Sequence, residues 1–68
     1  MENKFPERLT EALRERGLSQ SEFARRVHLS ADAINGYCLG KRRPSLDNFF
    51  IICKELGESM DYMTGLVD

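Results

Sequence analysis

The chain has 68 residues, of which 41% are hydrophobic and 31% charged, and its formal net charge is −1. This length is enough for one small domain, and the hydrophobic fraction is that of a folded protein rather than a disordered one. Apolar runs are far shorter than the roughly 18 residues of a membrane span, and the N-terminus lacks the apolar stretch of a secretory signal. We therefore expect one cytoplasmic domain over residues 1–68, without membrane association.

Residues that could bind metal or catalyse a reaction are few and widely spaced. Cys38 and Cys53 lie fifteen positions apart, and His28 is the only histidine. A zinc site normally needs four closely spaced ligands, and a domain of this size offers little concavity for a substrate. We expect no metal, no cofactor, no small-molecule ligand and no catalytic residue, and therefore no enzyme. Both cysteines are expected to be small buried hydrophobic residues, with a disulfide between them as the alternative.

Helical periodicity extends almost from one end of the chain to the other. In the first helix, apolar residues recur on one face at Phe5, Leu9, Ala12 and Leu13. Pro6 suits the first turn of that helix, and Gly17 suits a left-handed residue after its last turn. The predicted helices are residues 5–16, 19–27, 30–38, 45–56 and 59–65.

Serines mark the starts of the later helices. Ser19 and Glu22 have the spacing of a capping box, and Ser30 and Ser45 are further N-cap candidates. Helices two and three are separated by His28 and Leu29 alone, and histidine is among the residues enriched in left-handed conformations. The dipeptide at 35–36, Asn-Gly, leaves open whether helix three frays or ends early.

Apolar residues on one face of the last two helices are expected to complete the core. In helix four we expect this face to comprise Leu46, Phe49, Ile52, Cys53 and Leu56. In the last helix we expect Met60, Met63 and Leu66 to contribute. With no competing strand pattern, the sequence predicts an all-α fold.

Charge is unevenly distributed along the chain. Residues 41–43 are Lys-Arg-Arg in a loop before Pro44, and residues 25–26 add two arginines. From Pro44 onward there are five acidic residues against a single basic one, Lys54. This polarity fits a basic face toward phosphate groups and an acidic far side. The alternative is that the basic clusters only keep their face solvated.

Two short helices joined by a tight turn have helix-turn-helix geometry, and the ordered set of residues here resembles the lambda-repressor-like (Cro and XRE) helix-turn-helix domains. The matching residues are Leu18-Ser19-Gln20, Phe23-Ala24, Val27, Leu29-Ser30, Ile34, Gly40-Lys41-Arg42, Pro44-Ser45-Leu46 and the segment from Leu56 to Met63. They span roughly residues 5 to 66. The resemblance implies a compact five-helix bundle with the helix-turn-helix in helices two and three. It also implies a bacterial or phage-type transcriptional regulator, typically a repressor, that binds specific sequences of double-stranded DNA.

The resemblance further implies that helix three lies in the major groove. Its base-reading candidates are Ala31, Asp32, Asn35 and Gly36. Ala33 is also expected to point outward, where an alanine offers only methyl contacts. Asn35 alone belongs to the Arg, Lys, Gln and Asn set that usually reads bases. The phosphate-contact candidates are Gln20, Arg25, Ser30, Lys41, Arg42 and Arg43.

Apolar side chains crowd the last nine residues. We hypothesise a homodimer contact there, with Tyr62, Met63, Leu66 and Val67 as candidates. The alternatives are that these residues all belong to the core or pack on a continuation of the chain. A second functional hypothesis is a protein-interaction module on the same scaffold. The small set of base-reading residues and the net negative charge favour that hypothesis, and the basic loop opposes it.

Overall fold

The computed structural model describes residues 3–67 and contains five helices. They are α1 (Phe5–Arg16), α2 (Gln20–Val27), α3 (Ala31–Leu39), α4 (Leu46–Leu56) and α5 (Met60–Thr64). The described residues include no strand, so the prediction of an all-α fold with five helices is confirmed. The Asn-Gly dipeptide lies inside α3, which continues to Leu39. Within residues 3–67, no helix is both long and apolar enough to cross a membrane.

Serine side chains cap the starts of the last four helices. Each serine oxygen accepts a hydrogen bond from the backbone N–H three residues later, at 3.0 or 3.1 Å; the four are Ser19, Ser30, Ser45 and Ser59. The Ser19 N–H also donates to Oε1 of Glu22 at 3.2 Å, which completes the predicted capping box. Because these bonds satisfy backbone groups that would otherwise lack partners, short helices begin at defined residues.

The turn between α2 and α3 depends on one left-handed residue. His28 has φ 59° and ψ 38°, and it is the only non-glycine residue of the described chain with positive φ. This conformation lets the Leu29 N–H donate to the Ala24 carbonyl oxygen at 2.9 Å. The chain can then turn and reach the Ser30 N-cap within two residues, as the sequence predicted for this histidine.

All five helices contribute buried side chains to one core. α1 packs against α3 and α5, α2 packs against α3 and α4, and α4 packs against α5. The largest fully buried side chains are Phe23, Leu9, Ile34, Ile52 and Met63. At one edge, the Phe5 ring meets the Phe49 ring in a T-shaped contact with centroids 5.1 Å apart. The core therefore includes side chains of both α2 and α3, which pack directly against each other.

Three apolar residues lie elsewhere than the sequence predicted. Leu46 is 73% exposed because the opposite side of α4 fills the core. Leu66 follows the end of α5 and is 66% exposed. Ala33 is buried at 6% exposure, since it lies on the same side of α3 as Ile34 and Tyr37. The outward assignment of Ala33 and the core assignments of Leu46 and Leu66 were therefore wrong.

The N-terminal segment binds the C-terminal end of the fold. The Lys4 N–H donates to the Thr64 carbonyl oxygen at 2.9 Å. Nη1 of Arg8 donates to the carbonyl oxygens of Tyr62 and Val67 at 2.7 and 3.1 Å. The Arg8 guanidinium also stacks over the Tyr62 ring, 4.1 Å from its centroid. Hydrogen bonds and a cation–π contact thus join the two ends of the described chain.

Candidate nucleic-acid interface

The outer side of α3 is the central part of the candidate interface. Its exposed residues are Ala31, Asp32, Asn35 and Leu39. Leu39 is 58% exposed, and no pattern in the sequence had marked it as a surface residue. In the sequence, this leucine cannot be distinguished from the leucines of the core. Only the packing of α3 shows that its side chain lies on the surface. This surface therefore combines one amide, one carboxylate and two apolar groups.

The first turns of α2 and α3 present helix N-termini to the surface. Gln20 is the first residue of α2 and is half-buried. Ser30 is exposed, but its oxygen already accepts a hydrogen bond from the Ala33 N–H at 3.0 Å. Its hydroxyl can still donate outward. Backbone N–H groups at helix N-termini favour anionic groups such as phosphate, so both positions are compatible with the predicted phosphate contacts.

The loop after α3 folds back onto the helix at Gly36. The N–H groups of Lys41 and Arg42 donate to the Gly36 carbonyl oxygen at 2.9 and 3.2 Å. The methylene groups of Arg42 occupy the space beside Gly36: a Cβ atom there would lie 2.5 Å from Arg42 Cδ and 2.8 Å from Cγ. Any larger residue at position 36 would displace this side chain.

Gly36 itself is buried, so its place differs from that of the other base-reading candidates. From the sequence, this glycine was one of the base-reading candidates of helix three. In the structure, the Arg42 side chain of the same chain packs beside it. Gly36 therefore leaves room for an arginine against α3, and no local sequence signal indicated the contact.

Basic residues lie around this part of the molecule, and one of them forms an ion pair with an acidic residue. Lys41, Arg42, Arg43 and Arg25 are exposed. Arg26, next to Arg25, forms an ion pair with Glu55 of α4, with Nη1 and Oε2 3.9 Å apart. Exposed pairs of this kind contribute little to stability. The three basic residues of the loop are the densest positive charge on the chain.

The candidate dimer residues near α5 are unequal in exposure. Met63 is fully buried, so it has no surface to offer a second chain. Tyr62 is half-buried under the Arg8 guanidinium. Leu66 and Val67 are 66% and 50% exposed. A contact between chains at this end would therefore rest on the last two of these residues.

Both cysteines are free thiols, and no group of three or more potential metal ligands occurs among residues 3–67. Cys53 is buried, and burial raises its pKa to about 11, with a further contribution from the charge of Glu58. Burial also raises the pKa of Cys38, against the opposing effect of a hydrogen bond with Thr10. Because the thiolate is the reactive form, neither thiol is activated at neutral pH. The two side chains act as packing residues.

The packing of α2 against α3 across the His28 turn defines this chain as a helix-turn-helix protein. Residues 9–63 match the family model described as Helix-turn-helix, of the Cro/C1 type, and the chain belongs to that family. Because helix-turn-helix is a DNA-binding motif, family membership supports a DNA-binding regulator.

A solved structure, described as a transcriptional regulator from Listeria innocua, shares the fold. Its TM-score is 0.89 at 20% sequence identity, and the match covers 100% of this chain. This chain spans 64% of the length of that protein chain. A comparison with curated proteins finds no significant match.

Proposed function

We propose that the chain is a sequence-specific DNA-binding domain of a transcriptional regulator, with α3 in the major groove of double-stranded DNA. The observation that carries the proposal is the contact between Gly36 and Arg42. This contact holds the Arg42 side chain against the helix that a helix-turn-helix presents to DNA. The chain as a whole has a net charge of −1, so the positive charge that DNA binding requires comes from the basic loop at residues 41–43.

In this proposal, base readout rests mainly on Asn35. Its side-chain amide can bond adenine at N6 and N7, Asp32 can accept from cytosine N4, and Ala31 can contact a thymine methyl group. Gly36 supports Arg42 and reads no base itself. The set of base contacts is small, so phosphate contacts contribute most of the affinity.

Phosphate contacts are assigned to the surrounding polar groups. In the loop these are Lys41, Arg42 and Arg43, and nearer the helix-turn-helix they are Gln20, Arg25 and Ser30. Such contacts fix the register of α3 on the duplex without reading its sequence. Two copies on a two-fold-symmetric operator would block access to a promoter, which makes repression the form of regulation proposed.

A protein-interaction module is the second candidate function. Leu39 is 58% exposed on the same side of α3 as the acidic Asp32. An exposed apolar side chain beside a carboxylate suits a protein surface better than a polyanion. This candidate requires no contribution from the basic loop.

Selection of binding sites from a random duplex library tests the proposal directly. We expect enrichment of one half-site, and affinity for a duplex carrying that single half-site should fall steeply with salt. Each phosphate contact contributes about −0.9 to the slope of log K against log salt. Lys41→Ala should reduce the steepness of this slope by the value of about one phosphate contact, whatever the DNA sequence. Asn35→Ala should instead weaken binding by about 1–3 kcal/mol, and only on the selected sequence.

Lys54→Ala is the matched control, because Lys54 is an exposed basic residue on α4 outside the proposed interface. On the single half-site duplex it should leave both affinity and slope unchanged. If no sequence is enriched and alanine substitutions in the loop change nothing, DNA recognition is rejected. The protein-interaction module would then be the better candidate.

A further inference from the structure

One side of α4 exposes adjacent apolar residues. Leu46, Phe50 and Ile51 are 73%, 53% and 41% exposed, respectively, whereas the opposite side of the helix is buried in the core. Successive residues of a helix are rotated by about 100° around its axis, so these three residues, Asp47 and Lys54 all lie within an arc of about 140°. We name these five residues the α4 stripe. A contiguous exposed apolar surface of this kind, rimmed by charges, is typical of a contact with another protein.

The two charges of the α4 stripe are symmetrically placed about its centre. Asp47 and Lys54 are both exposed and lie seven residues, or about 10 Å, apart along the helix. Phe50 and Ile51 lie midway between them. Neither charged residue forms an ion pair within the described part of the chain. The stripe therefore has a negative end, an apolar middle and a positive end.

This order of charges is complementary to its own antiparallel copy. In a contact with two-fold symmetry, residue i meets residue j of the second copy and residue j meets residue i. With the axis passing beside Phe50 and Ile51, Asp47 of each copy would meet Lys54 of the other. A parallel arrangement would instead place like charges opposite each other, which is unfavourable.

We propose that the α4 stripe is the surface through which two copies of this chain associate, with their α4 helices antiparallel. At a shallow crossing angle of about 20°, Phe50 packs on its counterpart and two ion pairs flank it. Leu46 and Ile51 extend the apolar contact on either side. This location differs from the C-terminal contact predicted from sequence, where Met63 is buried.

The association is weak in solution. Stable interfaces use about 20–30 residues on each side, far more than the stripe and its neighbours supply. The dimer therefore forms only at high protein concentration when no DNA is present. Binding two neighbouring half-sites would raise the effective concentration of one copy near the other and favour the same contact.

Sedimentation equilibrium without DNA, at concentrations up to about millimolar, tests the inference independently of the proposed DNA-binding function. The unmodified chain should self-associate. Asp47→Lys and Lys54→Asp should each weaken self-association about ten-fold or more, because each converts two attractive pairs into two repulsive ones. An equimolar mixture of these two variants should associate again, since its heterodimer has opposite charges at both contacts.

The double variant D47K/K54D is the control for folding. It carries both substitutions, including the lysine at the start of α4, yet it restores opposite charges in the antiparallel dimer and should associate like the unmodified chain. The pair Leu66→Ser and Val67→Ser, made together, tests the C-terminal end and should leave association unchanged. A chain that stays monomeric, charge variants that associate normally, or loss of association only in the C-terminal variant would each overturn the inference.

Discussion

Gly36 illustrates how one missing side chain can place a functional group. A glycine in a helix interior costs about 1 kcal/mol relative to alanine. At this position it leaves room for the Arg42 methylenes, and its carbonyl oxygen accepts hydrogen bonds from two loop N–H groups. The residues lie six positions apart across a helix end, so helical periodicity does not relate them. The sequence singled out Gly36 as a base-reading candidate but did not indicate the arginine that packs beside it.

Gly36→Ala should separate stability from DNA binding. The new methyl group displaces Arg42, which should lower DNA affinity about as much as Arg42→Ala does. Stability should stay level or rise by up to about 1 kcal/mol, because alanine favours the helix. The double variant G36A/R42A should bind no more weakly than R42A, since the glycine acts through the arginine. Additive losses in a titration with the selected duplex would show that Gly36 acts on DNA in another way.

At the level of helices, local signals predicted the starts and the order of the five elements. Serine caps and the left-handed His28 act within a few residues, so the sequence alone identifies them. The faces of α4 were harder to assign because both sides carry large apolar residues. Phe49 and Ile52 face inward, whereas Leu46 and Phe50 do not. Only the packing of α4 against α2 and α5 decides between the two faces.

The capping box should give α2 a measurable pH dependence. Hydrogen bonds with the backbone and side chain of Ser19, aided by the charges of Arg25 and Arg26, lower the pKa of Glu22 in the folded chain. A carboxyl group with a lowered pKa stabilises the fold at pH values above its ordinary pKa. This stabilisation is lost as the pH falls through the pKa that the group has in the folded chain. Glu22→Gln should therefore flatten the decline in unfolding free energy between about pH 5 and pH 3.

Urea unfolding at several pH values measures this effect. Glu11→Gln is the matched control, because Glu11 is an exposed glutamate in the middle of α1, away from any helix start. An unchanged pH profile for E22Q, or an equal change for E11Q, would remove the capping box as the cause.

At the scale of the whole molecule, stability depends on a small core. A chain of this length has an unfolding free energy of about 3–10 kcal/mol, taking about 0.05–0.15 kcal/mol per residue. Within residues 3–67, five large side chains are fully buried, so each represents a substantial part of that total. The uneven charge and the core face of α1 followed from the sequence, whereas the buried position of Ala33 in α3 did not. The contacts of Arg8 with the C-terminal end did not, because they join residues more than fifty positions apart.

Ile52→Ala should therefore be far more damaging than Leu46→Ala, although both residues lie on α4. Ile52 is fully buried, and removing its side chain leaves a cavity that costs about 2–5 kcal/mol. Leu46 is exposed, and its removal should change stability by no more than about 0.5 kcal/mol. Thermal unfolding followed by circular dichroism at micromolar concentration compares the two. Similar losses would contradict the assignment of the two faces of α4.

The contacts between the two ends of the chain have a consequence for how the protein folds. Most other packing joins helices near one another in sequence, and such local contacts form quickly, in microseconds to milliseconds for small helical domains. The bonds from Lys4 and Arg8 to the residues around α5 close a loop of nearly the whole chain. We expect them to form after the folding transition state, so that they slow unfolding and leave the folding rate unchanged. The persistence of the folded state would then depend on its two ends, while the speed of its formation would depend on the helix-turn-helix.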